Sequence, residues 1–141
     1  MSRTGAIAVA IGAVLGAWSR WGLSYLFNVL WPSLPPGTLT ANLVGAYVIG
    51  FFIELFSLRS VRPEVPLLVI TGFCGTLTTF STFSAEAVTL LTEGQYIWAI
   101  CHITGHLVGS LILTILGIAT SRKLFTNRIA AAKISGVPPT E

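Results

Sequence analysis

Four long apolar runs organise the chain, and polar or proline-rich residues end each one. Each run is long enough for a membrane helix. They predict spans over about 5–27, 38–58, 66–92 and 96–120. Between the first two lies Trp31-Pro32-Ser33-Leu34-Pro35-Pro36-Gly37, whose prolines and glycine end one helix and open the next. A short basic connection with Arg59, Arg62, Pro63 and Glu64 leads to the third span, and Glu93-Gly94-Gln95 turns into the fourth. Arg122 and Lys123 are expected to stop the fourth helix, which closes a single membrane domain over 1–123. The remainder, 124–141, is mixed in polarity and is expected to be a poorly ordered tail. The first run follows Arg3 as a secretory leader would, but it is too long for one and three more runs follow.

The third run departs from a plain apolar helix. Its middle reads Gly72-Phe73-Cys74-Gly75-Thr76-Leu77-Thr78-Thr79-Phe80-Ser81-Thr82-Phe83-Ser84-Ala85-Glu86. A packed helix has no need of so many hydroxyls, and a loop has no need of the phenylalanines. As a straight helix, 66–92 would reach roughly 40 Å, whereas the hydrocarbon core needs about 30 Å. The segment can therefore lose a turn and still cross. Gly72, Gly75, Thr76, Thr78 and Thr79 mark where a break at the membrane centre is expected. Exposed backbone cannot face lipid, so such a break must be buried or line a polar cavity. It leaves free carbonyls at one half-helix end, which attract cations, and free N–H groups at the other, which attract anions. From Phe80 onward, Phe80, Phe83, Ser84 and Ala87 share one helix face, and Thr79, Thr82 and Glu86 share another.

Small and polar residues in the other spans add to this. Gly12-x-x-x-Gly16 and Gly105-x-x-x-Gly109 let helix backbones approach closely. Asn42, Ala46 and Gly50 lie on one face of the second span, and Ser110 and Thr114 on one face of the fourth. Asn42 reads as interhelical glue or as a donor toward an ion path. Arg20 reads as a snorkelling residue beside Trp18, Trp21 and Tyr25, or as an anion-attracting charge at a pore mouth. Glu54, near the end of its span, is expected to reach the interface.

Composition agrees with the pattern. Only 9% of residues are charged and mean hydropathy is +0.82, against about 25% charged in a soluble domain. The fold class is therefore all-α integral membrane protein. The net charge of +3 comes from basic residues scattered at span ends, not from a nucleic-acid patch. Cys74 and Cys101 both fall in apolar runs, so a disulfide framework is not expected. His102 and His106 stand at metal-ligand spacing without a further ligand beside them on their helix, and read as structural or interfacial. No Ser-His-Asp set, phosphate loop or spare carboxylate pair supports an enzyme.

Three motifs carry a family resemblance: Gly12-x-x-x-Gly16-x-x-x-Arg20, Asn42-x-x-Gly45, and Gly72-x-x-Gly75-x-x-Thr78-Thr79-Phe80-Ser81-Thr82-Phe83. The chain resembles the small bacterial fluoride channels, Fluc/CrcB, over about residues 5–121. The resemblance implies an antiparallel, dual-topology homodimer of four-helix subunits in the bacterial inner membrane, with two fluoride pathways at the subunit interface. Phe80 and Phe83 match the pore-lining phenylalanines and Asn42 the pore asparagine. Ser81, Thr82, Ser110 and Thr114 look like the polar pathway. Arg20 and Glu86 match vestibule residues. The carbonyls of Gly75 and Thr78 match a structural sodium site at the dimer centre.

A phenyl ring has a positive edge, so rings presented edge-on ease a small anion through a dry path. Lysine there would hold the anion too tightly, because conduction needs weak multiple sites. Arg3, Arg59, Arg62, Arg122 and Lys123 all fall on one side of the membrane by alternation of spans, which favours one orientation. Dual topology asks for both. The competing reading is a small proton-coupled multidrug exporter. That class relies on a glutamate in its first span, where this chain carries Arg20 and no carboxylate. A subunit that only assembles is the third reading.

Overall fold

The computed structural model describes residues 2–31 and 34–135, with side chains as far as Phe125. Helix α1 (Arg3–Phe27) opens on Ser2, whose hydroxyl accepts from the Gly5 N–H at 3.1 Å. Helix α2 (Pro36–Leu58) starts with a proline in its first turn, where no amide hydrogen is missed. Its free N–H groups are met by Asn28, which accepts from Gly37 at 2.8 Å and from Thr38 at 3.2 Å. One asparagine at the end of the first helix thus anchors the start of the second.

The third membrane segment comprises two helices. Helix α3 (64–77) begins as an α-turn at Glu64–Pro66, widens to π-helical turns over Leu67–Cys74, and tightens again at Gly75–Leu77. Thr78 (ψ 153°) and Thr79 (φ −147°) are extended. Helix α4 (Phe80–Thr92) follows. Gly94, at φ 72°, then makes the turn into helix α5 (Tyr96–Ser135), a left-handed conformation that favours glycine. Gly72, Gly75 and Thr76, expected at the interruption, are helical, and the extended backbone is confined to Thr78 and Thr79. Gly72 instead serves close packing, since a Cβ there would meet the Val9 carbonyl and the backbone of Gly12 at 2.6 and 3.0 Å.

Among the described residues, four stretches are long and apolar enough to cross a membrane: Arg3–Leu30, Pro36–Leu58, Glu64–Thr92 and Tyr96–Phe125. The protein is a multi-pass, all-helical membrane protein. Its outer surface carries large apolar side chains, among them Ile7, Trp18, Trp21, Tyr25 and Ile115, as a lipid-facing surface should. Helix α5 does not stop at Arg122 and Lys123 but continues through Ser135. Arginine and lysine are good helix formers, and no glycine or proline intervenes before Gly136. Leaving the membrane removes the need for apolar side chains, not the reason to stay helical. Residues 136–141 lie outside the described residues.

Two close-packed pairs hold the bundle. Helix α1 lies on the π-helical part of α3, where Gly12 and Gly16 face the carbonyls of Leu68 and Phe73 with no room for a Cβ. Helix α2 lies along α5, where Gly50 abuts the Thr114 carbonyl and Gly117 abuts the Tyr47 carbonyl. Such contacts replace the hydrophobic drive that lipid withholds from helix association. Gly109 meets the Leu43 side chain, whereas Gly105 has only Leu39 nearby at 4.0 Å. Near the end of α2, Arg122 grips the two carboxylate oxygens of Glu54 with donors at 3.0 and 3.2 Å, linking α2 to α5.

Candidate functional site

The interruption between α3 and α4 is held by side chains. Thr79 N–H donates to Asn42 Oδ1 at 2.7 Å, and Asn42 Nδ2 donates to the Thr79 carbonyl at 3.0 Å. The carboxamide of α2 thus pairs both backbone groups of one extended residue, as a neighbouring strand would. Thr79 in turn caps α4, its hydroxyl oxygen accepting from the Thr82 N–H at 3.1 Å. Thr78 is tied back by its hydroxyl and its N–H, both donating to the Cys74 carbonyl.

These bonds leave carbonyls behind. In an unbroken helix the Thr79 N–H would close on Gly75 and the Thr82 N–H on Thr78. Asn42 and the Thr79 hydroxyl take those donors instead. The Gly75 and Thr78 carbonyls therefore lose their helical partners. Gly75 is exposed on the single chain, and a Cβ there would find only the Ile70 carbonyl, at 3.7 Å.

Beside the interruption lies a cavity of about 400 Å³. Asn42, Phe80, Phe83, Ser110 and Thr114 line it together with His106. Three spans supply them, and their approach follows from the Gly50–Thr114 contact between α2 and α5. The Phe80 and Phe83 rings stand 5.7 Å apart at 47°, so ring edges as well as faces are presented. Phe80 is 79% exposed on the single chain, on the open side of the cavity. Thr114 donates its hydroxyl to the Ala46 and Ser110 carbonyls, at 3.2 and 2.9 Å, which commits its proton to backbone. The Ser110 hydroxyl makes no hydrogen bond to another side chain or backbone group among the described residues.

The other expected residues lie apart. Ser81 is exposed, with its hydroxyl 3.3 Å from that of Thr79. Thr82 and Glu86 line a second cavity of about 350 Å³ at the far end of α4. Arg20 is half-buried on α1 and lines neither cavity.

Three features were invisible to helix-face reasoning. Thr38 Oγ1 donates to Glu86 Oε1 at 2.7 Å, joining the start of α2 to α4. His102 stacks on the Phe83 ring at 5.3 Å and 17°, and its Nε2 lies 3.3 Å from the Phe83 carbonyl. His106 packs against the same ring at 4.9 Å and meets Asn42 Nδ2 at 3.0 Å through Nδ1. The Asn42 amide is oriented by the Thr79 N–H on its oxygen, so Nδ2 is the donor and His106 Nδ1 the acceptor. The neutral His106 ring then carries its proton on Nε2. The i, i+4 spacing of the two histidines was legible as one helix face, but nothing local pointed that face at Phe83.

These elements define a class: a small four-span membrane protein with a cavity built at an interrupted helix. Comparison with known proteins makes the assignment specific. Residues 7–118 match the family described as CrcB-like protein, Camphor Resistance (CrcB). Among similar proteins, one from Pseudomonas putida (strain W619) is 56% identical over 115 residues, covering 81% of this chain and 91% of its own length. One from Nitrosospira multiformis is 57% identical over 118 residues, covering 83% and 92%. One from Cupriavidus pinatubonensis is 53% identical over 125 residues, covering 88% and 99%. Each bears the name fluoride-specific ion channel FluC. This chain belongs to the CrcB family.

Proposed function

We propose that this protein is a fluoride-specific channel that lets the anion cross the bacterial inner membrane passively. The observation that carries the reading is the cavity at the Thr78–Thr79 interruption, where Phe80, Phe83, Asn42 and Ser110 converge without a fixed positive charge. The names of the similar proteins support it. A small, strongly hydrated anion needs its water replaced step by step. Ring edges, hydroxyls and the free N–H groups at the start of α4 offer weak donors in sequence, and weak sites release what they bind. Ser81, Thr82 and Thr114 extend the polar track, while Arg20 and Glu86 serve its vestibules. Asn42 shapes the path by fixing the interruption at the membrane centre, because both its N–H groups are spent on Thr79 and His106.

The single chain leaves Phe80 uncovered and the cavity open. A second, inverted copy closes it, and two such closures give an antiparallel homodimer with two pathways. The Gly75 and Thr78 carbonyls of both copies are the groups that would hold a structural sodium ion between them. An ion there would neutralise the carbonyl dipoles.

Fluoride enters an acidified cell as neutral HF, ionises and is trapped, so a selective leak lets the membrane potential expel it. The test is anion efflux from liposomes holding the purified protein, loaded with potassium fluoride or potassium chloride and triggered with valinomycin. Fast fluoride loss with chloride retained is expected. No fluoride loss through a dimer shown to be intact refutes the reading, and flux that needs a proton gradient points to an antiporter.

A further inference from the structure

Next to Phe83, three side chains with metal-binding atoms converge from two helices: Glu86 from α4, and His102 and His106 from α5. One ligand atom from each lies within 4.8 Å of the other two. Both histidines are buried, at 2% and 5% exposure. Glu86 is engaged on one side only, where Thr38 donates to Oε1. Its Oε2 is buried without a hydrogen bond and lies 3.6 Å from His102 Nε2. His106 Nε2 is likewise buried with no partner among the described residues. Two unmatched polar atoms in one buried cluster are uncommon, because each one costs stability.

We propose that Glu86, His102 and His106 form a binding site for a divalent transition cation of the zinc class, and that occupancy slows the pathway beside it. The effect on flux rests on the fluoride-channel reading; the binding does not. Two imidazoles and one carboxylate are a borderline donor set that selects zinc or cobalt over magnesium and calcium, which prefer all-oxygen cages. Tetrahedral bonds of about 2.0–2.2 Å place ligand atoms about 3.3–3.6 Å apart. The 3.6 Å between Glu86 Oε2 and His102 Nε2 lies at the top of that range, and a cation there takes Nε2 from the Phe83 carbonyl, 3.3 Å away. The widest separation in the cluster, up to 4.8 Å, has to close by up to about 1.2–1.5 Å to reach that range. Thr38 supplies an outer hydrogen bond that orients the carboxylate with Oε2 free.

His106 sets the limit on affinity. A cation on Nε2 moves the ring proton to Nδ1, which then faces the Asn42 donor instead of accepting from it. A mismatched outer partner costs about 10–100-fold in metal affinity, so binding is expected to be weaker than at a dedicated structural zinc site. Three protein ligands leave a fourth position open. That position lies beside the Phe83 ring, which both histidines touch. An anion held there by a divalent charge leaves slowly, and tight binding opposes conduction. Losing the His106 contact also loosens Asn42. Both effects lower flux.

The test begins with cobalt(II) titrated into the purified full chain, read by the visible d–d bands of a four-coordinate ion, with zinc added to displace it. One cobalt per chain is expected, with no displacement by magnesium. Glu86→Gln and His102→Gln should each weaken binding at least about 10-fold. Fluoride efflux is then followed with and without zinc, each variant compared with its own metal-free rate. Zinc should slow the wild type and lose potency in both variants. X-ray absorption of the zinc-loaded wild type, expected to show two imidazoles, decides the ligands even if a variant fails to fold. Absence of cobalt binding to the folded wild type overturns the site. So does an imidazole-free spectrum. Binding without slowed efflux overturns the regulatory role and leaves the channel reading untouched.

Discussion

Replacing Asn42 with leucine tests the claim that one side chain holds the interruption. Leucine keeps the volume and removes the carboxamide. The Thr79 N–H loses its bond to Oδ1 (2.7 Å) and the Thr79 carbonyl loses its bond from Nδ2 (3.0 Å). Two backbone groups left unpaired cost about 1–3 kcal/mol each, hence about 2–6 kcal/mol together. Interhelical hydrogen bonds in membranes give about 0.6–1.7 kcal/mol each, hence about 1–3 kcal/mol for the pair. The two scales overlap at about 2–3 kcal/mol, equivalent to a factor of about 30–150 in an equilibrium. Hydrogen exchange read by mass spectrometry is the assay, because it reports local opening. Peptides spanning 74–82 should exchange about 30–150-fold faster in Asn42→Leu, while peptides in α1 change little. Asn42→Asp separates the two bonds, since a carboxylate keeps the acceptor for Thr79 N–H and loses the donor. It should fall between wild type and leucine. Unchanged exchange across 74–82 in Asn42→Leu would refute the idea that the carboxamide holds the extended pair.

Three further outcomes follow from the packing. Phe80→Ile should abolish or strongly reduce fluoride efflux, yet shift unfolding of the isolated chain by no more than about 0.5 kcal/mol, because the ring is exposed there; wild-type efflux in this variant removes the phenylalanine mechanism. Gly12→Val places a Cβ against the Leu68 carbonyl and should cost about 1–3 kcal/mol or more, measured as a lower midpoint in detergent unfolding; an unchanged midpoint means α1 and α3 are not closely packed in the membrane. Thr79→Val removes the cap on α4 and should cost about 0.5–2 kcal/mol, seen as faster exchange confined to the first turn of that helix.

The amino-acid sequence alone determined the number of spans, their approximate limits and the segment that interrupts. These are local properties: an apolar run reports its own length, and a cluster of threonines and glycines reports its own unease in a helix. It also placed Asn42 with Ala46, and Phe80 with Phe83, on shared faces, because helix periodicity is local too. What lay beyond it was which faces meet. Thr79 is fixed by Asn42, from a different helix. Glu86 is held by Thr38 and faces two histidines of the fourth span. Each partner lies far away along the chain, and its approach depends on glycine contacts such as Gly50 on Thr114 and Gly12 on Leu68. Backbone proximity of that kind is a property of two packed surfaces together. Packing in three dimensions was therefore needed to confine the extended backbone to Thr78 and Thr79 and to leave the Gly75 and Thr78 carbonyls without helical donors. For the same reason it alone could bring His102 and His106 beside Phe83, where spacing along one helix had marked only a shared face.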